Sequence, residues 1–318
     1  MPAGDATAAG TAGPGFGFVA LIVANVALAF GPWFVRLADV GPVAAGFWRI
    51  TLAIPFLAGL AFASGARPAR LPRGLWLMIA LGGVAFAADL GSWHLGIVRT
   101  TMANATLFGN SAILIYPLYG FLVARAWPSR LQGLGLLLAA IGAALLLGRS
   151  FQLDSRNLAG DLLCILAGIL YTVYIVLMAR VRATMRPLPA LALASAATAL
   201  PLLLFAGALG EQVMPDRWTP LLGLALVSQV LGQGCMIYAL GRMSPLAVGI
   251  ALLIQPVVAG AIGWIGYGER LQGADWVGVA LVALALVLVR RSEAAPAGTV
   301  EDAAEVAPAH PGAQEERR

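Results

Sequence analysis

The sequence predicts an all-α integral membrane protein with ten transmembrane helices arranged as two inverted five-helix repeats. Three observations lead to this prediction: the composition of the 318 residues, the grouping of the apolar residues into ten runs, and landmarks shared by the two halves. The chain is 60% hydrophobic and 11% charged, whereas soluble domains are roughly 45–50% apolar and about 25% charged. This composition excludes a soluble globular protein, and the two cysteines exclude a disulfide scaffold.

Each apolar run is long enough to cross a bilayer, whose hydrocarbon core of about 30 Å needs about 20 residues per helix. Short segments with turn residues and charges separate the runs. The predicted spans are residues 16–37, 42–63, 74–98, 101–124, 130–148, 158–180, 189–210, 218–240, 244–267 and 273–291.

The remaining segments are too short or too polar to form a packed core. We therefore expect a disordered N-terminus over residues 1–15, a linker over 149–157 and a disordered acidic tail over 292–318.

An offset of 143 residues aligns residues 91–148 with 234–291 without a gap. Gly91 then falls on Gly234, and Thr101 falls on Ser244. A repeat of five spans, 16–148 and 158–291, has an odd number of helices, so its two copies must have opposite orientations. Inverted repeats are the architecture of secondary transporters, whose binding site lies between the halves at the middle of the membrane.

The basic residues indicate the orientation of the chain, because positive charge is retained on the cytoplasmic side. All 20 basic residues are arginines, and they are scattered between the apolar runs. They are therefore interpreted as topology markers, and no nucleic-acid partner is expected. With the N-terminus inside, thirteen arginines lie on the inner side and six on the outer side. Both termini are therefore predicted to be cytoplasmic.

Three motifs carry a resemblance to a known family. Residues 42–55 resemble the second helix of the EamA-type ten-helix branch of the drug/metabolite transporter superfamily. Residues 100–107 followed by Asn110, and residues 268–271, resemble the start of its fourth helix and the turn between its ninth and tenth helices. The resemblance implies a multi-pass carrier of the bacterial inner membrane, often an exporter of amino acids, other metabolites or toxic compounds.

The resemblance also places Arg49 near the outer boundary of the second helix. We expect its side chain to extend outward as a membrane anchor. The alternative is a position at the mouth of the cavity, where it would meet anionic groups.

Asp89 is the clearest candidate for a substrate-binding residue, because it is the only carboxylate deep in an apolar run. An acid at a helix centre costs about 2.5–3.5 kcal/mol on insertion scales, so it requires a partner or a function. It is interpreted either as a titrating or cation-binding group facing a cavity, or as a packing residue tied to hydroxyls and backbone. Trp93, one turn later, shares its face, whereas His94 is expected at the membrane interface.

Polar and aromatic side chains on other apolar spans extend the predicted site. Such side chains either line a cavity or form interhelical hydrogen bonds worth about 1 kcal/mol or less, and spacing alone does not separate the two roles. Asn104 and Ser111, seven residues apart, are predicted to share a helical face. The full substrate-binding set is Asp89, Trp33, Asn25, Trp93, Asn104, Ser111, Tyr171, Tyr174, Gln229, Gln233 and Gln255.

A transporter of a small-molecule substrate across the lipid bilayer is the first functional interpretation. An integral-membrane enzyme acting on a lipid is the second, but such chemistry normally needs clustered carboxylates, histidines or metal ligands. A membrane sensor or assembly subunit is the third. No ATP-binding motif, cofactor site or metal site is predicted, so transport would depend on gradients. Gly135, Ala139 and Ala143 form a close-packing face that is either scaffold or a homodimer contact.

Overall fold

The computed structural model describes residues 14–66, 71–125, 127–148, 155–252 and 254–268, together with isolated residues between 273 and 288. Every regular element in these ranges is a helix, as the sequence predicts. The predicted tail over 292–318, the first thirteen residues and most of the tenth predicted span lie outside the described residues.

The helices begin and end where the local sequence requires it. Prolines occupy the first position of α3, α9 and α12, where a missing backbone N–H is not needed. In chain order, the α-helices of the described ranges are α1 (Pro14–Ala29), α2 (Gly31–Leu37), α3 (Pro42–Ala63), α4 (Arg73–Ile97), α5 (Met102–Gly109), α6 (Ala112–Ala124), α7 (Arg130–Gly148), α8 (Ser155–Arg182), α9 (Pro187–Ala208), α10 (Thr219–Gly223), α11 (Gly234–Leu240), α12 (Pro245–Ala251) and α13 (Ile254–Tyr267).

A π-helical segment, Leu224–Gln233, joins α10 to α11. Segments of π-helix are rare and often occur at functional sites. Gln229 and Gln233 both lie in this segment and are buried.

Seven stretches within the described ranges are long and apolar enough to cross a membrane. They show a multi-pass membrane protein. The stretches are Phe16–Leu37, Pro42–Ala63, Arg73–Ile97, Asn157–Arg182, Pro187–Ala208, Thr219–Leu240 and Pro245–Tyr267.

Three of the predicted spans consist of interrupted helices within the described residues. The span over 16–37 is interrupted at Phe30, between α1 and α2, and the interruptions of the other two correspond. The predicted span over 101–124 consists of α5 and α6, which are separated after Gly109, and the span over 244–267 consists of α12 and α13, which are separated after Ala251. The offset of 143 residues brings these two breaks to within one residue of each other. Interrupted helices at corresponding positions of two halves are a marker of a transport site.

The same offset relates the N-terminal caps of these two helices. The hydroxyl of Thr101 accepts a hydrogen bond from the backbone N–H of Asn104 at 3.2 Å. The hydroxyl of Ser244 accepts one from the backbone N–H of Ala247 at 3.1 Å. Each cap satisfies a backbone donor that the first helical turn leaves free.

Helix α4 packs along α8 and α9. Glycines allow this close approach. A Cβ atom added at Gly83 would lie 2.5 Å from the Cβ of Ala197 and 2.8 Å from its backbone carbon. A Cβ added at Gly96 would collide with the sulfur of Cys164. The small residues of α4 therefore set the distances between the central helices.

The loops group at two ends of the bundle. The Asp39 end carries residues 38–41, 98–101 and 209–218, and the Arg182 end carries residues 64–66, 71–72, 183–186 and 241–244.

At the Asp39 end, one carboxylate oxygen of Glu211 accepts a hydrogen bond at 2.8 Å from the backbone N–H of Ala44, in the first turn of α3. Trp48 donates from its indole nitrogen to the carbonyl of Val213 at 2.6 Å. These bonds join the start of α3 to the loop that follows α9.

We expect Gly83→Ala to lower the free energy of unfolding by about 1–3 kcal/mol, because the added methyl group forces α4 away from α9. Thermal unfolding of the detergent-solubilised protein measures this change. Gly74→Ala is the matched control, since Gly74 lies on the same helix with no atom within 4 Å of an added Cβ. Equal stability of the two variants would contradict the proposed close packing.

Candidate functional site

A small polar cavity lies in the middle of the bundle, beside the two helix breaks. Its volume is about 40 Å³, which is enough for a few water molecules but too small for a metabolite. The lining residues come from both halves of the sequence. They are Leu28, Arg49, Phe86, Asp89, Leu90, Trp93, Gly109, Asn110, Tyr171, Gln233 and Gln255.

Arg49 lines this cavity and is only 1% exposed. The expectation that Arg49 extends outward as an anchor is therefore wrong. The physical reason is its position on α3, where Gly46, Ile50 and Ala53 form the buried face together with it. Trp48, on a different face, makes the contact with the loop at the Asp39 end.

The guanidinium of Arg49 is only partly satisfied. Its Nε donates to the side-chain oxygen of Gln229 at 3.1 Å. The amide nitrogen of Gln229 in turn donates to the hydroxyl of Ser195 at 3.2 Å, which fixes the orientation of the amide. Within the described residues, the buried Nη1 of Arg49 has no hydrogen-bond partner. The π-helical segment therefore holds the arginine in place and leaves donors unused.

Asp89 lines the same cavity and is 5% exposed. Arg49 is close enough to interact with it electrostatically, but no direct ion pair joins these two described side chains. No arginine lies within two turns of Asp89 on its own helix, and the structure supplies one from α3. The cavity therefore presents one positive and one negative group that are not bonded to each other.

A chain of side-chain amides connects the two helix breaks to α1. The amide nitrogen of Asn110 donates to the oxygen of Gln255 at 3.2 Å. Gln255 then donates to the oxygen of Asn25 at 2.8 Å, and Asn25 donates to the carbonyl of Leu21 at 2.7 Å. The polar groups at the breaks are thus satisfied inside the bundle, as a lipid environment requires.

Aromatic side chains form the part of the wall nearer the Arg182 end. Phe86 stacks on Tyr174 with ring centroids 4.3 Å apart and an angle of 11° between the planes. The hydroxyl of Tyr171 accepts a hydrogen bond from the amide nitrogen of Gln233 at 3.5 Å. Tyr174 is fully buried, and its hydroxyl has no partner within the described residues.

Five of the predicted site residues line the cavity, and three more contact a lining residue. The five are Asp89, Trp93, Tyr171, Gln233 and Gln255. The three are Asn25, which bonds to Gln255, Gln229, which bonds to Arg49, and Tyr174, which stacks on Phe86.

Trp33, Asn104 and Ser111 do not line the cavity. Trp33 packs beside Phe30 and Phe34. Asn104 lies in the capped first turn of α5, and the hydroxyl of Ser111 donates to the carbonyl of Ile165 at 3.4 Å. The helix is interrupted between Asn104 and Ser111, and their shared face stays a prediction.

Sequence reasoning omitted Asn110 from the site, although this residue is adjacent to Ser111. The signal that could have found it is the offset of 143 residues, which relates the polar stretch at Asn110 to the region before Gln255 and Pro256.

His94 is fully buried near the end of α4 that lies at the Asp39 end, and its place relative to the membrane interface stays a prediction. Its Nδ1 lies 2.8 Å from the carbonyl oxygen of Pro42 and donates to it, because a carbonyl only accepts. Asp161 is a second buried carboxylate, near the start of α8, and accepts a hydrogen bond from the Thr100 hydroxyl at 2.7 Å. Both residues hold neighbouring helices together outside the cavity lining.

We expect Tyr174→Phe to leave the free energy of unfolding unchanged or slightly higher, because it removes a buried hydroxyl that has no partner. Tyr171→Phe should lower it by about 1 kcal/mol, since the amide of Gln233 loses its acceptor. Thermal unfolding in detergent compares the two variants. If Tyr174→Phe proves the more damaging, the assignment of hydrogen bonds at this wall is incorrect.

Comparison with known proteins agrees with this geometry. The sequence model of the EamA-like transporter family matches the chain twice, over residues 15–148 and 158–291. The two matches begin 143 residues apart, which is the offset that relates the two halves of the sequence. A protein of Archaeoglobus fulgidus described as an uncharacterized transporter is 26% identical over 244 residues, which cover 74% of this chain and 83% of that protein.

A solved structure described only as the crystal structure of a protein has a similar fold. Its TM-score is 0.67 at 18% sequence identity, and the match covers 87% of this chain and 96% of the other. At this identity the similarity concerns the fold alone.

Proposed function

The chain belongs to the EamA-like transporter family, and we propose that it is a secondary transporter that moves small metabolites by alternating access through the central cavity. The observation that carries this proposal is the position of the cavity at the two corresponding helix breaks. Gly109 and Asn110 reach it from the first break and Gln255 from the second. Discontinuous helices of two repeats meet at the substrate site in secondary transporters.

The proposed architecture has ten transmembrane helices in two inverted repeats. It is supported by the double match to the family, by the corresponding breaks and by the corresponding caps at Thr101 and Ser244. The proposed membrane is the bacterial inner membrane, with both termini in the cytoplasm. The arginines near the Arg182 end support this orientation, because positive residues favour the cytoplasmic side. They include Arg73, Arg180, Arg182, Arg186 and Arg242.

Export of amino acids or related amphipathic compounds is the proposed activity. The cavity combines amide groups, aromatic rings and one group of each charge. Such a surface suits a small molecule that has both polar and apolar parts. Pockets of this kind use a few polar groups to fix the orientation of a ligand and apolar surface to bind the rest.

The cavity must enlarge during the proposed cycle, because about 40 Å³ does not hold a metabolite. A cleft of about 920 Å³ lies at the Arg182 end between α3, α4, α8 and α9. Along α4, Met78 lines the cleft and Phe86 lines the cavity. Phe86 also stacks on Tyr174 of α8. In the proposed mechanism, this stack separates the cavity from the route to the cytoplasmic side.

The first experiment measures the uptake of labelled amino acids into liposomes with and without the purified protein. Transport that depends on the protein supports the proposal. If no compound in a panel of amino acids, amines and carboxylates is moved, the proposed function is wrong.

We expect Asp89→Asn to remove the response of transport to a pH gradient, because asparagine keeps the shape and hydrogen bonding of the side chain but does not titrate. A buried carboxyl group that faces the cavity can exchange its proton for a substrate ammonium group. The measurement is initial uptake into liposomes with and without an imposed pH gradient.

Asp161→Asn is the matched control, since Asp161 is equally buried but does not line the cavity. It should keep the response to the gradient. An Asp89→Asn variant with unchanged rate and unchanged pH response would show that Asp89 only fixes α4.

A further inference from the structure

We propose that Arg49 is the carboxylate-binding residue of the transport site and that the substrate is a small zwitterion. Its carboxylate binds the guanidinium of Arg49, and its ammonium group faces Asp89. This inference rests on the proposed function and specifies the class of substrate for the same cavity. An α-amino acid is the simplest molecule with this pair of groups.

The guanidinium of Arg49 is only partly hydrogen-bonded by the described residues. Arg49 has five N–H donors, and within the described residues only its Nε has a recorded acceptor, the side chain of Gln229. Its Nη1 is buried and has no partner there. The bond to Gln229 holds the side chain from one edge and leaves the terminal nitrogens available.

The buried charge of the guanidinium also has an unfavourable free energy. A buried charge that lacks hydrogen-bond partners is unfavourable, so a permanently buried guanidinium needs an acceptor. The terminal nitrogens of arginine form a planar fork that matches the two oxygens of a carboxylate. Gln229 is itself fixed by Ser195, which orients this fork before a ligand arrives. Binding a carboxylate would therefore satisfy donors that the protein itself leaves free.

The other groups of the cavity determine what the rest of the ligand must be. Asp89 lines the same cavity and forms no direct ion pair with Arg49. A simple anion would leave Asp89 unmatched, and a simple cation would leave Arg49 unmatched. A molecule with both charges satisfies both groups at once. Phe86, Tyr171 and Trp93 supply aromatic surface beside them, which suits an apolar side chain and an ammonium group.

The experiment uses the purified full-length protein in liposomes and starts from a panel of the twenty standard amino acids. For the amino acid that is transported best, two analogues are tested as competitors, namely the amine that lacks its carboxylate and the acid that lacks its ammonium group. We expect both to bind the wild-type protein at least about tenfold more weakly than the amino acid. The amine leaves Arg49 without an acceptor, and the acid has no ammonium group to replace the proton of Asp89.

The variants distinguish recognition from a structural role. Arg49→Gln should weaken binding of the amino acid by about tenfold or more while binding of the amine changes little, so that the preference for the amino acid disappears. Arg49→Lys should recover part of the preference, because it keeps the charge but not the fork. Arg73→Gln is the matched control, since Arg73 is exposed at the start of α4, and it should keep the wild-type preference.

The outcomes separate this inference from the proposed function. Transport of an amino acid with unchanged discrimination in Arg49→Gln overturns the inference and leaves the function in place. A wild-type protein that accepts the amine as well as the amino acid also overturns the inference and leaves the function in place. A protein that moves other compounds but no amino acid does the same. A parallel loss of affinity for the amino acid and the amine in Arg49→Gln assigns Arg49 a structural role and also overturns the inference. Failure to move any compound overturns the proposed function itself.

Discussion

A guanidinium buried among membrane helices must find hydrogen-bond acceptors inside the protein, because the surrounding lipid offers none. In this protein Arg49 has one such acceptor in Gln229 and an unpartnered Nη1 within the described residues. The site can be understood from this requirement. The π-helical segment places Gln229 against the arginine, Ser195 orients Gln229, and Asp89 provides the opposite charge across a small cavity.

The interrupted helices explain how so many polar groups coexist at the centre of an apolar bundle. The ends of α5 and α13 provide Gly109 and Gln255 at the cavity, and a chain of amides satisfies the polar side chains there. The cavity is consequently surrounded by helix ends on one side and by the aromatic stack of Phe86 and Tyr174 on another.

The all-helical membrane fold, the family and the importance of Asp89 as a cavity residue follow from composition, motifs and the isolation of one carboxylate in an apolar run. Other features do not follow from local sequence. Helical periodicity shows which residues share a face, but it does not show which face is buried, so the sequence does not decide whether Arg49 points outward or into the cavity. Periodicity also does not reveal where a helix is interrupted, as it is between Asn104 and Ser111. The burial of His94 likewise depends on α3, which contributes the carbonyl of Pro42.

An experimental structure of the protein saturated with its best-transported amino acid tests the central claim most directly. The account predicts that the two carboxylate oxygens lie within hydrogen-bond distance of the terminal nitrogens of Arg49, with the ammonium group directed toward Asp89 and the cavity enlarged around the ligand. A ligand bound elsewhere, with Arg49 paired directly to Asp89, would contradict the account.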